Sequence, residues 1–427
     1  MAGATFSDLQ AYGNLEELYA NDTYVQNNVL SSFWNYIRDP KAGEINLDGA
    51  GWNIPVQFAL NESYGSKNDG ERLPDPQYPK GLFAKYTPKL NYAAIEMTSF
   101  AATRGYKGGR PDGKFLDTTL KSTLLSFIAN LDADAYGNGR GYRATVLTAT
   151  PAAASFTVTF STRLRPNMVL DWYNSAMTVK RGTIKIADRG IDMQNRTVYI
   201  DSTVYSAAVP ASGAADDVLV VQNDLAAGEP SDGRAIGGFG RITDSSVSLG
   251  TLSPSSYAWW LPTNINAGLQ NPNELILQQH CDAINTIAGV WPDKLVISLA
   301  WRRAYMAGFL TQRMFTSNSY ATGMADLTFS ATKMGKDASG KKPQKFDILE
   351  DKNQDPAQYF IYANDAVCKA ADYSQEPHLA DEDGADFRYR QNYDSMHGFM
   401  RWWGQLPVNM RRAVGRGYNF STASGVI

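Results

Sequence analysis

Histidine and cysteine are scarce in this chain: three of the first (His280, His378, His397) and two of the second (Cys281, Cys368) among 427 residues. No two histidines stand at metalloprotease spacing and neither cysteine belongs to a Cys-x-x-Cys pair, so zinc chemistry has no motif to stand on. His280 falls within an amphipathic helical pattern, as a surface or core residue. The cysteines read as small buried thiols of a chain kept in a reducing compartment. Long apolar runs are missing too. The strongest, Leu295 to Ala300, is far too short to span a bilayer. The opening MAGATFSDLQAY has neither the basic nor the apolar region of a secretory signal, so folding in a cytoplasm is expected. A charge excess is also lacking. The 40 Lys and Arg against 43 Asp and Glu leave a net charge of -3, which argues against a dedicated nucleic-acid binder while leaving local patches open.

Aromatic residues are plentiful: nine Trp, 18 Phe and 23 Tyr, many beside Gly, Pro or Asn. Aromatics with a polar tip suit surfaces that a partner covers, and they suit a large core equally well. The chain is long enough for two or three domains with cores that need no disulfide or metal.

Motifs that imitate chemistry fail on inspection. Asp132-x-Asp134-x-Tyr136-Gly137 opens like a calcium loop, but Tyr136 stands at the fifth position and Arg143 at the twelfth, where a bidentate Glu is needed. It reads as a solvated helix end. Gly335-x-x-x-x-Gly340-Lys341-Lys342 imitates a phosphate loop, yet Lys342 replaces the magnesium-binding hydroxyl and Ala331 to Met334 is a poor entering strand. A mobile basic loop over Lys336 to Lys345 is expected there. Asp381-Glu382-Asp383-Gly384 is an acidic turn without a partner acid. No Gly-x-Ser-x-Gly elbow occurs. No residue is nominated as catalytic, cofactor-binding or metal-ligating, and the chain is expected not to be an enzyme. The stretch Phe387 to Tyr418 sets Arg388, Arg390, Arg401, Arg411, Arg412 and Arg416 among Tyr389, Tyr393, Phe399, Trp402 and Trp403. It would face nucleic acid, or pair with acids across a subunit contact.

Along the chain, Met1 to about Lys41 reads as short helical pieces with sticky aromatic points, closed by Pro40. Trp52 to Leu60 and Leu82 to Phe100 are extended runs flanking a Gly/Pro/Asp-rich tip, Tyr64 to Gly81: a projecting hairpin. Leu116, Leu120, Leu124, Phe127 and Leu131 mark one face of a helix of about 22 residues, roughly 33 Å long, with Gly137 as its C-terminal cap. From about Pro151 to Gly250 short strands follow at turn-rich spacing: Met177-Val179, Gly182-Ile186, Thr197-Asp201, Asp217-Val221 and Phe239-Ile242. They point to a small barrel or sandwich. From Pro262 helix and strand alternate. A capping box at Asn271-Pro272-Asn273-Glu274 opens a helix lined by Leu277, Cys281, Ile284 and Ala288 and ended by Gly289. Lys294-Leu299, Phe346-Leu349 and Tyr359-Tyr362 are strands, and Trp301 to Met314 is a helix.

This order of parts resembles the major capsid proteins of tailed bacteriophages over nearly the whole chain. The phrases MTVKRGTIKIADRG and RTVYID (Met177 to Asp201), Ala215-Val218 with Ile236-Phe239, Asp293-Ser298 and Phe346-Asp351 with Asp355-Pro356 carry the likeness. It implies an α+β fold of the Hong Kong 97 type, with N-terminal arm (1-50), extended loop (51-107), a peripheral domain with a spine helix (108-165), an inserted β-rich domain (166-261), and an axial domain with closing peripheral strands (262-427). It also implies an icosahedral head enclosing double-stranded DNA, assembled in a bacterial host's cytoplasm. The implied partners are copies of the chain in pentamers and hexamers, portal, scaffolding and decoration proteins, and DNA touched weakly at the inner face. No cofactor and no membrane are implied. Some such proteins cross-link through Lys and Asn. Lys67 and Lys80 lie in the hairpin, but no Asn partner is nominated. Two rival readings are an encapsulin-like nanocompartment shell and a carbohydrate-active enzyme stacking sugars on Trp and Tyr.

Overall fold

A computed structural model describes residues 32–308 and 346–421, apart from 42, 49–50, 70, 74, 99–113, 160, 202, 204, 207, 226–232, 373–375, 380–386 and 390–393. The expected basic loop over Lys336 to Lys345, the Gly335 to Lys342 motif and the acidic turn at Asp381 lie outside those residues.

The described chain opens with a short helix, α1 (Ser32–Tyr36), which drops Phe33 and Trp34 into the molecule's own core, both fully buried. Phe33 stacks on Tyr136 at 4.4 Å and Trp34 meets Trp402 edge-on at 4.9 Å. These two aromatics are therefore core anchors and not the sticky points expected, because intramolecular rings already cover them. Strands β1 (Asn46–Asp48), β2 (Gly51–Ala59) and β3 (Lys80–Tyr86) form an antiparallel sheet with the long tip between β2 and β3. The second extended run breaks at Thr87-Pro88, where proline has no N–H to continue a ladder. Beyond it β4 (Lys89–Thr98) leaves the hairpin for another sheet.

Helix α2 (Lys114–Ala135) has the 22 residues its leucine spacing predicts. Among its described side chains the deeply buried ones lie in the last turns, Phe127, Leu131, Ala133 and Ala135 among them. The Gly137 N–H returns to the Asp134 carbonyl at 2.8 Å. Gly137 is not left-handed, however; Gly139 (φ 85°) and Gly141 (φ 68°) take that conformation.

Next come β5 (Tyr142–Thr148), β6 (Ser155–Val158), β7 (Val169–Tyr173), β8 (Lys180–Asp192), β9 (Thr197–Ile200) and β10 (Val218–Val221). They close into a barrel in the order β10-β5-β6-β9-β8-β7. Alternate residues such as Ala144, Val146, Trp172, Ile184, Ile186 and Val198 point inward and fill it. β8 serves two neighbours. Its first half pairs with β7 and its second with β9, and the register slips between Ile186 and Ile191. Gly190 (φ 80°) sits at that slip, a bulge that turns the barrel's corner. Met177-Val179, expected as a strand, is a turn: the Asn174 side chain accepts from the N–H groups of Thr178 and Val179, and Met177 is left-handed.

The barrel runs from Tyr142 to Val221, whereas the inserted domain was expected over 166-261. Residues after β10 belong to the main core. Phe239-Ile242, expected as a strand, is a helical turn, α3 (Phe239–Ile242), with Phe239 and Ile242 fully buried. A Cβ at Gly238 would lie 2.3 Å from the Ala135 carbonyl oxygen, and one at Gly240 2.9 Å from that of Gly137. The two glycines let this turn pack directly on the end of α2.

The α/β lobe follows, with β11 (Ile265–Asn266), α4 (Glu274–Ala288), β12 (Lys294–Ile297), α5 (Leu299–Gly308), β13 (Asp347–Glu350) and β14 (Tyr359–Tyr362). The α4 cap sits two residues later than expected. Asn273 accepts from the Ile276 N–H at 2.9 Å, so Glu274 is the first helical residue and Pro272 precedes the helix. Gly289 (φ 73°) ends it as expected. Leu277, Cys281 and Ile284 face the sheet. The chain finishes through β15 (Ala370–Ala371), β16 (His378–Leu379), β17 (Arg388–Tyr389), β18 (Ser395–Gln405) and β19 (Val414–Tyr418). One mixed sheet has the order β11-β19-β14-β12-β13. The other is built on β18, which pairs with β15, β16, β17 and, along ten residues, with β4.

Candidate assembly surface

Among the described residues no group of three or more His, Cys, Asp or Glu could hold a metal ion, and no helix is long and apolar enough to cross a membrane. What stands out is apolar surface. At the hairpin base, Trp52, Ile54 and Val56 oppose Tyr86, Ala84 and Leu82 on the inward face. Trp52 Nε1 donates to Asp372 at 2.8 Å, the Lys85 N–H donates to the Gly250 carbonyl, and Phe58 stacks on Trp259 at 5.1 Å. Past this clamp Leu60, Leu73 and Tyr78 are 69 to 79% exposed and Tyr64 is 91% exposed. Large apolar side chains exposed along one segment suit a surface that a partner covers.

A second apolar face lies on the β4–β18 pair. Alternation sends Trp402, Met400 and Ile95 into the core. The opposite face carries the cross-strand pairs Leu90–Trp403, Tyr92–Arg401 and Ala94–Phe399. Leu90, Tyr92 and Phe399 are exposed. The Arg401 guanidinium lies 4.6 Å over the Trp403 ring, and its Nε donates to His378 Nε2 at 3.1 Å. Sequence reading missed this face. The i, i+2 spacing of Leu90 and Tyr92 was a usable signal, but their partner strand lies some three hundred residues away.

The basic, aromatic C-terminal stretch divides. Arg411 is buried inside the subunit, so for it the structure corrects both the nucleic-acid and the subunit-contact readings, whereas Arg401, 3% exposed, lies within the β4–β18 face. Arg411 donates to the carbonyls of Ile242, Asp244, Val247 and Trp260 and knits α3 to the loop that follows it. Burial pulls its pKa down to about 10. Arg388 and Tyr389 remain exposed. Arg390 and Tyr393 lie outside the described residues.

Asp132 and Asp134 are buried, which corrects the expected solvated helix end. Asp132 accepts from the Trp34 N–H and the Asn353 amide, each at 2.8 Å, and Asp134 pairs with buried Arg143. Arg163 donates to the Asn353 carbonyl. This polar junction joins α1, the end of α2, the barrel and the α/β lobe; carboxylates so enclosed reach no substrate. His280 is a satisfied core residue: Nδ1 bonds the Tyr359 hydroxyl at 2.9 Å and Nε2 the Thr263 carbonyl at 2.8 Å. Burial lowers its pKa to about 4. Cys281 and Cys368 are buried free thiols, as expected, each pushed up to about 12 by burial.

No family model and no curated protein matches the chain. Solved structures do. The capsid asymmetric unit of cyanophage A-1(L) is 10% identical, with 95% of this chain and 98% of that one covered and a TM-score of 0.51. The holo-SrpI encapsulin complex from Synechococcus elongatus PCC 7942 is 7% identical over 99% and 98%, with a TM-score of 0.45. Mycobacterium phage Bobi is 10% identical over 98% and 99%, with a TM-score of 0.42. The first of these likenesses sets the architecture: from end to end, the chain has the α+β fold of the tailed-phage major capsid proteins, the Hong Kong 97 type.

Proposed function

We propose that the chain is a major capsid protein that assembles with copies of itself into the icosahedral head around the double-stranded DNA of a tailed phage. The observation that carries this reading is the end-to-end correspondence with the cyanophage capsid chain, 95% of one and 98% of the other. The exposed hairpin tip and the exposed β4–β18 face add to it, since a shell subunit must bury apolar surface against neighbours. In this reading α2 is the spine of a peripheral domain, the α/β lobe is the axial domain and the barrel is an insertion. Portal, scaffolding and decoration proteins, weak DNA contact at the inner face and assembly in the host cytoplasm belong to the same proposal, and no catalytic role is assigned.

The test is negative-stain electron microscopy with light scattering, on the chain expressed alone and with its neighbouring genes. Closed icosahedral particles or tubes are expected. A monomer under every condition overturns the reading. Particles that enclose a dedicated protein cargo, with no DNA packaged when the neighbouring genes are present, would replace the virion with a nanocompartment shell.

A further inference from the structure

Helix α1 is held on the end of α2 by two rings and one carboxyl group. Phe33 stacks on Tyr136, Trp34 meets Trp402 edge-on, and the Trp34 N–H donates to Asp132 Oδ1 across 98 residues of chain. The other oxygen of Asp132 accepts from Asn353 Nδ2, so one fully buried side chain joins α1, α2 and the loop after β13. Two buried polar atoms at this joint have no partner among the described residues: Asn353 Oδ1 and the Trp34 indole Nε1. Asn353 is 4% exposed, and its unpaired oxygen belongs to the amide that already touches Asp132. A half-turn of that amide lets a protonated Asp132 donate to the oxygen, whereas an ionised Asp132 has only acceptors to offer. The neutral acid suits the closed joint better than the carboxylate does.

The surrounding groups point the same way. From the loop after β13, Asp351 faces Asp132 as a like charge and Lys352 as an opposite one. Arg165, between β6 and β7, is also close, with its guanidinium on the Asn130 side chain. Tyr136 lies just past α2. Helix α1 brings no charge: its one ionisable side chain, Tyr36, donates to the Asp347 carbonyl. Burial and then Asp351 outweigh the cations and hold the Asp132 pKa up at about 7. We propose that Asp132 is a proton-operated catch for α1: neutral, it holds the helix against α2 and the 351–354 loop, and ionised, it lets the helix come away. A proton bound more tightly while α1 is docked favours docking in full below the ordinary value of 3.8, and that advantage is lost as pH rises through about 7. The catch lies within one subunit and works whether or not the chain builds a shell.

Hydrogen exchange of the purified full chain tests this, read on peptides spanning residues 32–37 and corrected for the intrinsic rate at each pH. Opening of α1 should rise between roughly pH 5 and 7, by up to about tenfold per pH unit, and level off above about 7. Peptides of α4, where His280 is enclosed, should not follow that rise. Asp132→Asn keeps an oxygen for the Trp34 N–H and titrates no proton, so its α1 opening should stay flat over the same range. Should that variant fail to fold, Asp351→Asn removes the like charge and keeps an acceptor for the Asn353 N–H. Its rise should be smaller by about threefold or more. A flat wild-type profile, an equal rise in α4, or an undiminished rise in the folded variants overturns the proposal.

Discussion

Asp132 shows how one residue ties stability to pH. Burial first, and then the nearby Asp351 carboxylate, push its pKa up to about 7, against the pull of its hydrogen bonds from Trp34 and Asn353. Asp224 is raised to about 7 as well, by burial and then by Asp134. An acid with a raised pKa binds its proton more tightly in the folded chain. Its contribution is complete below the ordinary value of 3.8 and is lost as pH rises through about 7. His280 runs the other way. With its pKa lowered from 6.5 to about 4, it contributes fully above 6.5 and loses that contribution as pH falls toward 4. The range above 6.5 therefore isolates the acids. Between roughly pH 6.5 and 8, urea unfolding should show stability falling by up to about 1 kcal/mol per pH unit, with a shallower fall in Asp132→Asn. Equal slopes in the two proteins would place the effect elsewhere.

At the scale of an element, the β2–β3 hairpin separates into a clamped base and a bare tip. The base is held by Trp52 on Asp372 and Phe58 on Trp259. The described hydrogen bonds of the tip are local, such as Asn68 to Glu71 and Arg72 to Asp75, and exposed pairs of this kind add little stability. Replacing residues 61–78 by an Asn-Gly turn keeps the ladder through Ala59 and Lys80. The variant should retain the thermal midpoint of the wild-type subunit, measured by circular dichroism, and fail to form closed shells by electron microscopy. Wild-type particles from this variant would show that the tip plays no part in closure.

The whole molecule is organised around crossings of the chain between distant segments. β4 pairs with β18, and α1 inserts between the end of α2 and the β18 sheet. The barrel is the exception. Its first and last strands, β5 and β10, pair with each other, so the chain enters and leaves at one seam, and its core is its own. A fragment of residues 141–222 should therefore fold alone, with a strand-type circular dichroism spectrum and cooperative unfolding in urea. A fragment that lacks cooperative unfolding would mean that the barrel depends on the Arg143–Asp134 and Arg163–Asn353 contacts at its base.

Local pattern was enough for α2, for the alternation along β8 to β10, for the helix lined by Leu277, Cys281 and Ile284, and for the extended arms of the hairpin, because each is written in spacings of two to four residues. The order of those pieces was enough for the family resemblance. Local pattern misled where a backbone conformation was set by a distant contact. Phe239-Ile242 looks like a strand and becomes a helical turn because Gly238 and Gly240 press on the end of α2. Asp132 and Asp134 look solvated and are enclosed because α1 and the 351–354 loop close over them. Phe33 and Trp34 look like contact points for a neighbour and fill the subunit's own core. The spacing of Leu90 and Tyr92 is written in the sequence, but the apolar β4–β18 face they belong to is completed by a distant strand that joins it only when the chain folds. Composition and periodicity determine which residues must leave water; only tertiary structure decides which distant surface receives them, because burial rewards any apolar partner and the fold selects one.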